Sequence, residues 1–565
     1  MKNKKTNNLL SMGLLLTLLC LSAETTHATE TDHTPEGVIE VLISEYDDNT
    51  SAGGAILVMR DNEVIYSRGF GMANLEYSMP FQEDTPTNIG STSKQFTAFA
   101  ILLLEEEGQL SLEDDIRNYI PELPVFEDTI RLRHLIAHTS GYREFLNTLA
   151  MGGWRLGDHV AREEVLTVLQ RQPELQNKPG EVFNYNNSGY ALLSMVVERI
   201  TETPFPDWME THVFKPLGME HTLVIENPGQ IIPERAFGYH KGEEDRLIGV
   251  LDLHASMGAG GIYSTVADLS RWAANFYDPV IGNEALIARM QENFVLNSGT
   301  KSMYAFGLMI TELHGQHVVH HPGGDMAHRS HFMLFPDIQG MVTVQSNYAG
   351  FSGQVAQKVA EAFFHDVMDI EAPAMEEQEE YYLYDSEKFD EIAGRYELEA
   401  MPGFVLEFSR EADTLYAQAT GQPRFEIYAS SDSTFYMTVV DASMTFHRDE
   451  DGEIYAMTLH QNGDHFAKRH TEPLWKPGEE DLAMYTGRFF SEELEAFYTI
   501  VADEEGELTM QHRRLDDITL KAESKDNYTG SFPIMSLKFV RDNNDEVTGF
   551  DASSGRATGI FFEKL

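Results

Sequence analysis

Residues 88–104 read NIGSTSKQFTAFAILLL, and the fold turns on how that stretch is read. Phe96, Phe99, Ala100 and Leu103 recur at i, i+3, i+4 and i+7, the spacing of one helix face. Leu102 and Leu104 are apolar off that stripe, and a helix greasy on several faces belongs in the middle of a domain. The spacing predicts a buried helix that begins near Ser91 and stops at Gly108. The three-residue step from Ser91 to Lys94 sets a hydroxyl and an amine on one face, at the positive end of the helix dipole. Serine is a poor nucleophile until a neighbour takes its proton, and a desolvated lysine is able to do so. The bland alternative is a helix cap beside a solvated lysine. Ser298-Gly299-Thr300-Lys301 repeats the pattern without an apolar helix behind it and reads as loop.

Working outward, 565 residues suggest more than one domain, and 42% hydrophobic with 23% charged residues is an ordinary globular balance. A net charge of −50 repels phosphate backbones and anionic membranes, which argues against nucleic acid as a partner. Residues 1–28 read as a secretory signal peptide. Lys2, Lys4 and Lys5 form the basic start, Leu9 to Leu21 a short apolar run, and Thr26-His27-Ala28 the cleavage site. A lipid anchor at Cys20 is the weaker reading, because Leu19 before it is bulky. Cys20 is the single cysteine, so a chain cut at Ala28 has no thiol or disulfide. No later stretch is long and apolar enough to span a bilayer, and the expected product is exported, secreted or periplasmic.

Ala55 to Met59 and Val64 to Phe70 form a predicted hairpin turning at Asp61-Asn62. Helices follow at 131–138, 163–170, 190–201 and 266–276. The loop Gly258 to Gly261 has no Lys-Ser/Thr after it, so it is read as close backbone approach beside a cleft rather than a phosphate cradle. Strands at 316–321, 331–335 and 341–346 and a helix at 355–367 close the region. Strands at both ends with helices between predict an α+β domain over 29–371, an antiparallel sheet flanked by helices. An acidic linker, 372–384, leads to short alternating strands. There Gly394-Arg395-Tyr396 recurs as Gly487-Arg488-Phe489, and Phe446, Arg448, Asp449 and Ile454 as Phe539, Arg541, Asp542 and Val547, all at an offset of 93. One offset across the unit predicts tandem domains, 385–472 and 473–565, each a small antiparallel barrel or sandwich of about eight strands.

A serine hydrolase also needs a second proton handler and an oxyanion hole. Tyr185-Asn186-Asn187 is the one Tyr-x-Asn in the sequence. A phenol near an ammonium group is stabilised as phenolate and can pass protons to a leaving group, while Asn187 offers a donor and an acceptor to a substrate amide. In His321-Pro322-Gly323-Gly324 the glycines allow a substrate backbone to approach, and the Gly324 N–H pairs with that of Ser91 as an oxyanion hole. His321 is read as a donor or positive charge beside the nucleophile. His314, His317, His320 and His321 raise a metal reading, but on a strand they divide between two faces, so no metal or other cofactor is expected.

These three elements, in this order, resemble the penicillin-recognising serine hydrolases: class C β-lactamases, D,D-peptidases, D-aminopeptidases and related esterases. The resemblance covers about residues 35–370 and includes HLIAHTSGY at 134–142, GEVFNYNNSGY at 180–190 and GAGGIYSTVADLSRW at 258–272. It implies Ser91 as the acylated nucleophile, Lys94 and Tyr185 as base and proton relay, and Asn187 as a substrate ligand. His321 would stand where β-lactamases carry the lysine of Lys-Thr-Gly, which is more like D-aminopeptidases. Arg329 is a candidate for a substrate carboxylate, with structural pairing as its alternative. The two C-terminal units resemble lipocalin-like domains appended to such peptidases. The implied function is acyl transfer to water from small peptides or amino-acid amides, with the D configuration as first choice. An esterase or weak β-lactamase is the first alternative, and a non-catalytic penicillin-type sensor or binding protein the second.

Overall fold

The computed structural model describes residues 34–369, except 156, 243, 244, 252, 254 and 255, and residues 382–565, except 383, 400–404, 420–423, 438–441, 450, 462, 463 and 471–474. The expected signal peptide and nearly all of the acidic linker lie outside the described residues.

The hydrolase-like domain is built on a six-stranded antiparallel sheet. Its strands are β1 (Gly54–Arg60), β2 (Glu63–Phe70), β3 (Met309–Leu313), β4 (Gln316–Gly324), β5 (Arg329–Phe335) and β6 (Gly340–Ser346), in the spatial order β3-β4-β5-β6-β1-β2. The first and last parts of the chain meet where β1 pairs with β6, Gly54 opposite Ser346. The hairpin turns at Asp61-Asn62, both with φ near +55° (53° and 60°), the backbone that a two-residue turn between twisted strands requires. β1 alternates strictly between the two faces. Ile56 and Val58 pack with Ile39 and Ile43 of α1 (Pro35–Ile43). Ala55, Leu57 and Met59 join the larger core around α2 (Lys94–Glu106).

Ten of the thirteen residues of α2 are buried. Leu102 and Leu104 are buried and Leu103 is only half-buried, so the apolar stripe read from the sequence is rotated from the most enclosed face. Phe96 and Phe99 both close on the Trp272 ring, at 4.6 and 5.1 Å between centroids. Gly108, with φ +70°, ends the helix. Among the described residues, no helix is long and apolar enough to cross a membrane.

The two C-terminal units are closed eight-stranded antiparallel barrels, from Gly394–Leu398 to Asp464–Arg469 and from Gly487–Ser491 to Ala557–Lys564. The 93-residue offset superimposes their strands: Ser443–Arg448 on Ser536–Arg541, and the start of Ile454–His460 on that of Val547–Ser554. Aromatic side chains fill both interiors, Tyr396, Phe408, Phe435 and Phe446 in the first and Phe489, Tyr498, Phe539 and Phe550 in the second. Arg395 and Glu523 form an ion pair between the barrels. The second barrel also docks on the hydrolase-like domain: Tyr498 OH donates to the Met151 carbonyl (2.9 Å), and Arg514 pairs with Asp158 (2.5 Å).

Candidate active site

Ser91 lies in a single 3-10 turn, Gly90–Ser93, that runs directly into α2. The turn is pressed against the end of β4. A Cβ on Gly90 (φ +51°) would lie 2.4 Å from Gly324 N, and one on Gly323 would lie 2.0 Å from the Ile89 carbonyl oxygen. Thr92 Oγ1 donates to the His321 carbonyl (3.1 Å), and Ser330 Oγ to that of Ile89 (2.7 Å). Close approach is the expected use of these glycines, but at Gly323 what approaches is the protein's own serine turn. Gly323→Ala must therefore push the Ser91 turn off β4. A shift near 1 Å costs about 100-fold in rate, and kcat/KM is expected to fall by that much with little change in far-UV circular dichroism. Unchanged kcat/KM would show that the close fit of the turn is not needed.

The amine of Lys94 is buried and lies 3.0 Å from Ser91 Oγ, 2.8 Å from Asn187 Oδ1 and 2.7 Å from the Ala259 carbonyl oxygen. The last two oxygens only accept, so in a neutral amine they take both hydrogens and the lone pair faces the serine hydroxyl. Burial, and then the positive charge of Arg556, hold Lys94 well below the usual lysine range, with Glu144 pulling the other way. Asn187 is oriented by Glu144, whose Oε1 accepts from Asn187 Nδ2 at 2.9 Å. The other Glu144 oxygen accepts from Asn147 N (2.9 Å) and caps the helix α3 (Phe145–Met151). The glycine-rich loop brings up the Ala259 carbonyl; Gly258, with φ +87°, is so close to Tyr190 that a Cβ would lie 2.4 Å from its carbonyl oxygen.

Tyr185 precedes the helix α4 (Asn187–Thr201), which Asn186 caps by accepting from Gly189 N. Asn187 is thus the first residue of the helix. The Lys94 nitrogen sits 4.8 Å from the centroid of the Tyr185 ring. Burial pushes the Tyr185 phenol far up, against the pull of the nearby Ser91 hydroxyl and the charge of Arg556. The expected phenolate is therefore replaced by a neutral phenol beside an amine whose charged form burial disfavours. His321 also differs from expectation. Its Nδ1 is 2.6 Å from the Pro322 carbonyl and must be the donor there, which leaves Nε2 as acceptor for Tyr304 OH (3.1 Å), with Tyr185 OH at 3.5 Å. Burial, reinforced by Lys94, holds His321 well below the usual imidazole range, so it is neutral and orients phenols rather than supplying charge.

Ser91, Tyr185, Asn187 and Gly324 line one cavity of 370 Å³. Leu146, Leu149 and Trp154 give it an apolar wall. Arg329 is not in that lining; its Nη1 donates to the carbonyls of Asp325 (3.0 Å) and His328 (2.8 Å), the structural alternative named for it. Of the four histidines, His314 lies in the turn between β3 and β4 and pairs with Glu361 (3.2 Å), while on β4 His320 pairs with His331 (3.0 Å) and its neighbour His321 faces Tyr304 (3.1 Å). Sequence reasoning missed Glu144, Tyr304, Ala259 and Arg556. Glu144 follows the HTSGY stretch by two residues, and Ala259 lies inside the loop singled out for its glycines, so a signal existed for both. Nothing local marks Tyr304 or Arg556.

Residues 39–362 match the Beta-lactamase family model, and residues 383–475 match a domain of unknown function (DUF3471). Penicillin-binding protein 4* of Bacillus subtilis is 24% identical over 73% of this chain and 94% of its own length. The D-aminopeptidase of Gluconobacter oxydans is 27% identical over 54% of this chain and 57% of its own. In fold, the octameric penicillin-binding protein homologue from Pyrococcus abyssi aligns over 77% of this chain and 99% of its own, with a TM-score of 0.55 at 23% identity.

Proposed function

Because the chain belongs to the Beta-lactamase family of serine hydrolases, we propose that it cleaves amide bonds of small D-amino-acid peptides or amides through an acyl-enzyme on Ser91. The observation that carries the mechanism is the buried Lys94 amine, 3.0 Å from Ser91 Oγ and held from behind by the carbonyl oxygens of Asn187 and Ala259, so that in its neutral form the lone pair points at Ser91 Oγ. Lys94 takes the hydroxyl proton as Ser91 Oγ attacks the substrate carbonyl. The Ser91 and Gly324 N–H groups receive the oxyanion. Tyr185, neutral and beside the Lys94 amine, passes its proton to the leaving nitrogen and is reprotonated by the Lys94 ammonium. Water then reverses the sequence and frees the acyl group. Each step needs only side chains and backbone already present.

The D configuration rests on relatives: the Gluconobacter oxydans protein is named a D-aminopeptidase. A second reading, ester hydrolysis with weak β-lactam turnover, draws on the apolar wall of Leu146, Leu149 and Trp154. A panel of D- and L-amino-acid amides, p-nitrophenyl esters and nitrocefin separates the two, with Ser91→Ala as the blank. Fast D-amide turnover with slow L-amide turnover is expected. Rapid ester turnover with no amide turnover would overturn the amidase reading.

A further inference from the structure

Among the described residues, three charged side chains line the cavity: Asp325, Arg155 and Arg556. Asp325 is satisfied by His328 Nδ1 at 2.8 Å and by the backbone N–H of Ala327 at 2.8 Å. Arg155 donates its Nε to the Arg514 carbonyl. Arg556 is different. It comes from the tip of the last hairpin of the second barrel, between β7 (Val547–Ser554) and β8 (Ala557–Lys564). Its guanidinium lies 5.4 Å from the centroid of the Tyr185 ring and, among the described residues, makes no hydrogen bond or ion pair.

The tip is held firmly by its backbone. Gln176 Nε2 donates to the Arg556 carbonyl (3.3 Å), and Gln176 Oε1 accepts from Thr558 N (3.2 Å). Arg143 donates to the carbonyls of Thr558 (3.0 Å) and Gly559 (2.9 Å). The anchored loop thus presents a planar cation, seated over the Tyr185 ring and, among the described residues, without a hydrogen-bond partner of its own, to a pocket whose one carboxylate, Asp325, is already paired. Five N–H donors in that position fit a planar anion, held bidentately. Its seat over Tyr185, the residue assigned to protonate the leaving group, puts the anion on the leaving-group side.

We propose that Arg556 is a substrate-binding residue, supplied by the second barrel, that selects substrates carrying a carboxylate on the leaving group. This rests on the acyl-transfer reading of Ser91. It makes the second barrel part of the active site and separates acids from their neutral amides or esters.

The test uses 3-acetoxybenzoate and its methyl ester, which differ at the leaving group only in charge. The wild-type, full-length enzyme is expected to favour the acid in kcat/KM by about 10- to 100-fold, the worth of a charge-assisted hydrogen bond. Arg556→Met keeps the apolar stem over Tyr185 and should bring the ratio near one; Arg556→Lys should keep part of it, and Arg556→Glu should invert it. A ratio unmoved in Arg556→Met would overturn the assignment. So would a wild type indifferent to the charge, which needs no variant to fold. Turnover of neither compound, together with no turnover of any amide, ester or nitrocefin in the panel, would instead overturn the acyl-transfer reading, and this proposal with it.

Discussion

Lys94→Met should lower kcat/KM by about 10⁶-fold on whichever substrate the wild type turns over fastest, about the loss seen when the nucleophile or its base is removed from such a unit. Methionine keeps the length of the stem, so packing against the Tyr190 and Tyr185 rings survives. What disappears is the lone pair aimed at Ser91 Oγ from 3.0 Å. Lys94→Arg should be nearly as poor, because a guanidinium does not give up its proton in a protein. Ser91→Ala should cost as much as Lys94→Met, and the double variant no more than either, since a nucleophile and its base act as a unit. Additive losses in the double variant would mean that Lys94 serves some other step. The same geometry fixes the pH profile. Activity needs the neutral amine, so kcat/KM rises through the depressed Lys94 pKa and levels off above it. Arg556 helps to hold that value down, so Arg556→Met should move the acid limb to higher pH for charged and neutral substrates alike.

The α2 segment shows what a sequence can and cannot carry. Its apolar run and its Ser-x-x-Lys spacing are local, so helix, burial and the Ser91–Lys94 pair all follow from sixteen or so residues. The same holds for the barrels, where an offset repeated in turn and strand letters marks two copies of one unit. The protonation pattern was not local. A phenol beside an ammonium group reads as phenolate only while the amine is charged; burial of both groups reverses that, and burial is a property of the assembled domain. Glu144 acts through Asn187, 43 residues further on, by one hydrogen bond that no periodicity announces. Arg556 is more extreme. It sits in a turn of a different domain, and only the docking of the second barrel brings it to Tyr185.

That docking is predicted to fail first at Arg143. Arg143→Ala should destabilise the interface by about 3–5 kcal/mol near pH 8, the range for removing one partner of a buried ion pair. Arg143 Nη1 lies 3.2 Å from Glu493 Oε1, with side chains 2% and 6% exposed. Burial nevertheless pushes Glu493 up to about 7, because desolvation outweighs the attraction of Arg143 and Glu174 adds a like charge. The sign of the pH dependence follows. A carboxyl whose folded pKa is raised binds its proton more tightly when folded, so its contribution is full below the unfolded value of 4.5 and is lost as pH rises towards 7. Without Arg143 the folded carboxyl becomes harder still to ionise, and the loss steepens and extends above pH 7. Thermal unfolding at pH 5.5 and 8.5 should therefore show a small penalty for Arg143→Ala at the lower pH and a large one at the higher. Adding Glu493→Gln should recover most of the difference, since an amide carries no charge to strand. A penalty equal at both pH values would mean that the ion pair is irrelevant and that only the lost bonds to Thr558 and Gly559 matter. Those bonds hold the tip that carries Arg556. Arg143→Ala should therefore also erase the preference for an anionic leaving group at temperatures where the hydrolase-like domain is still folded.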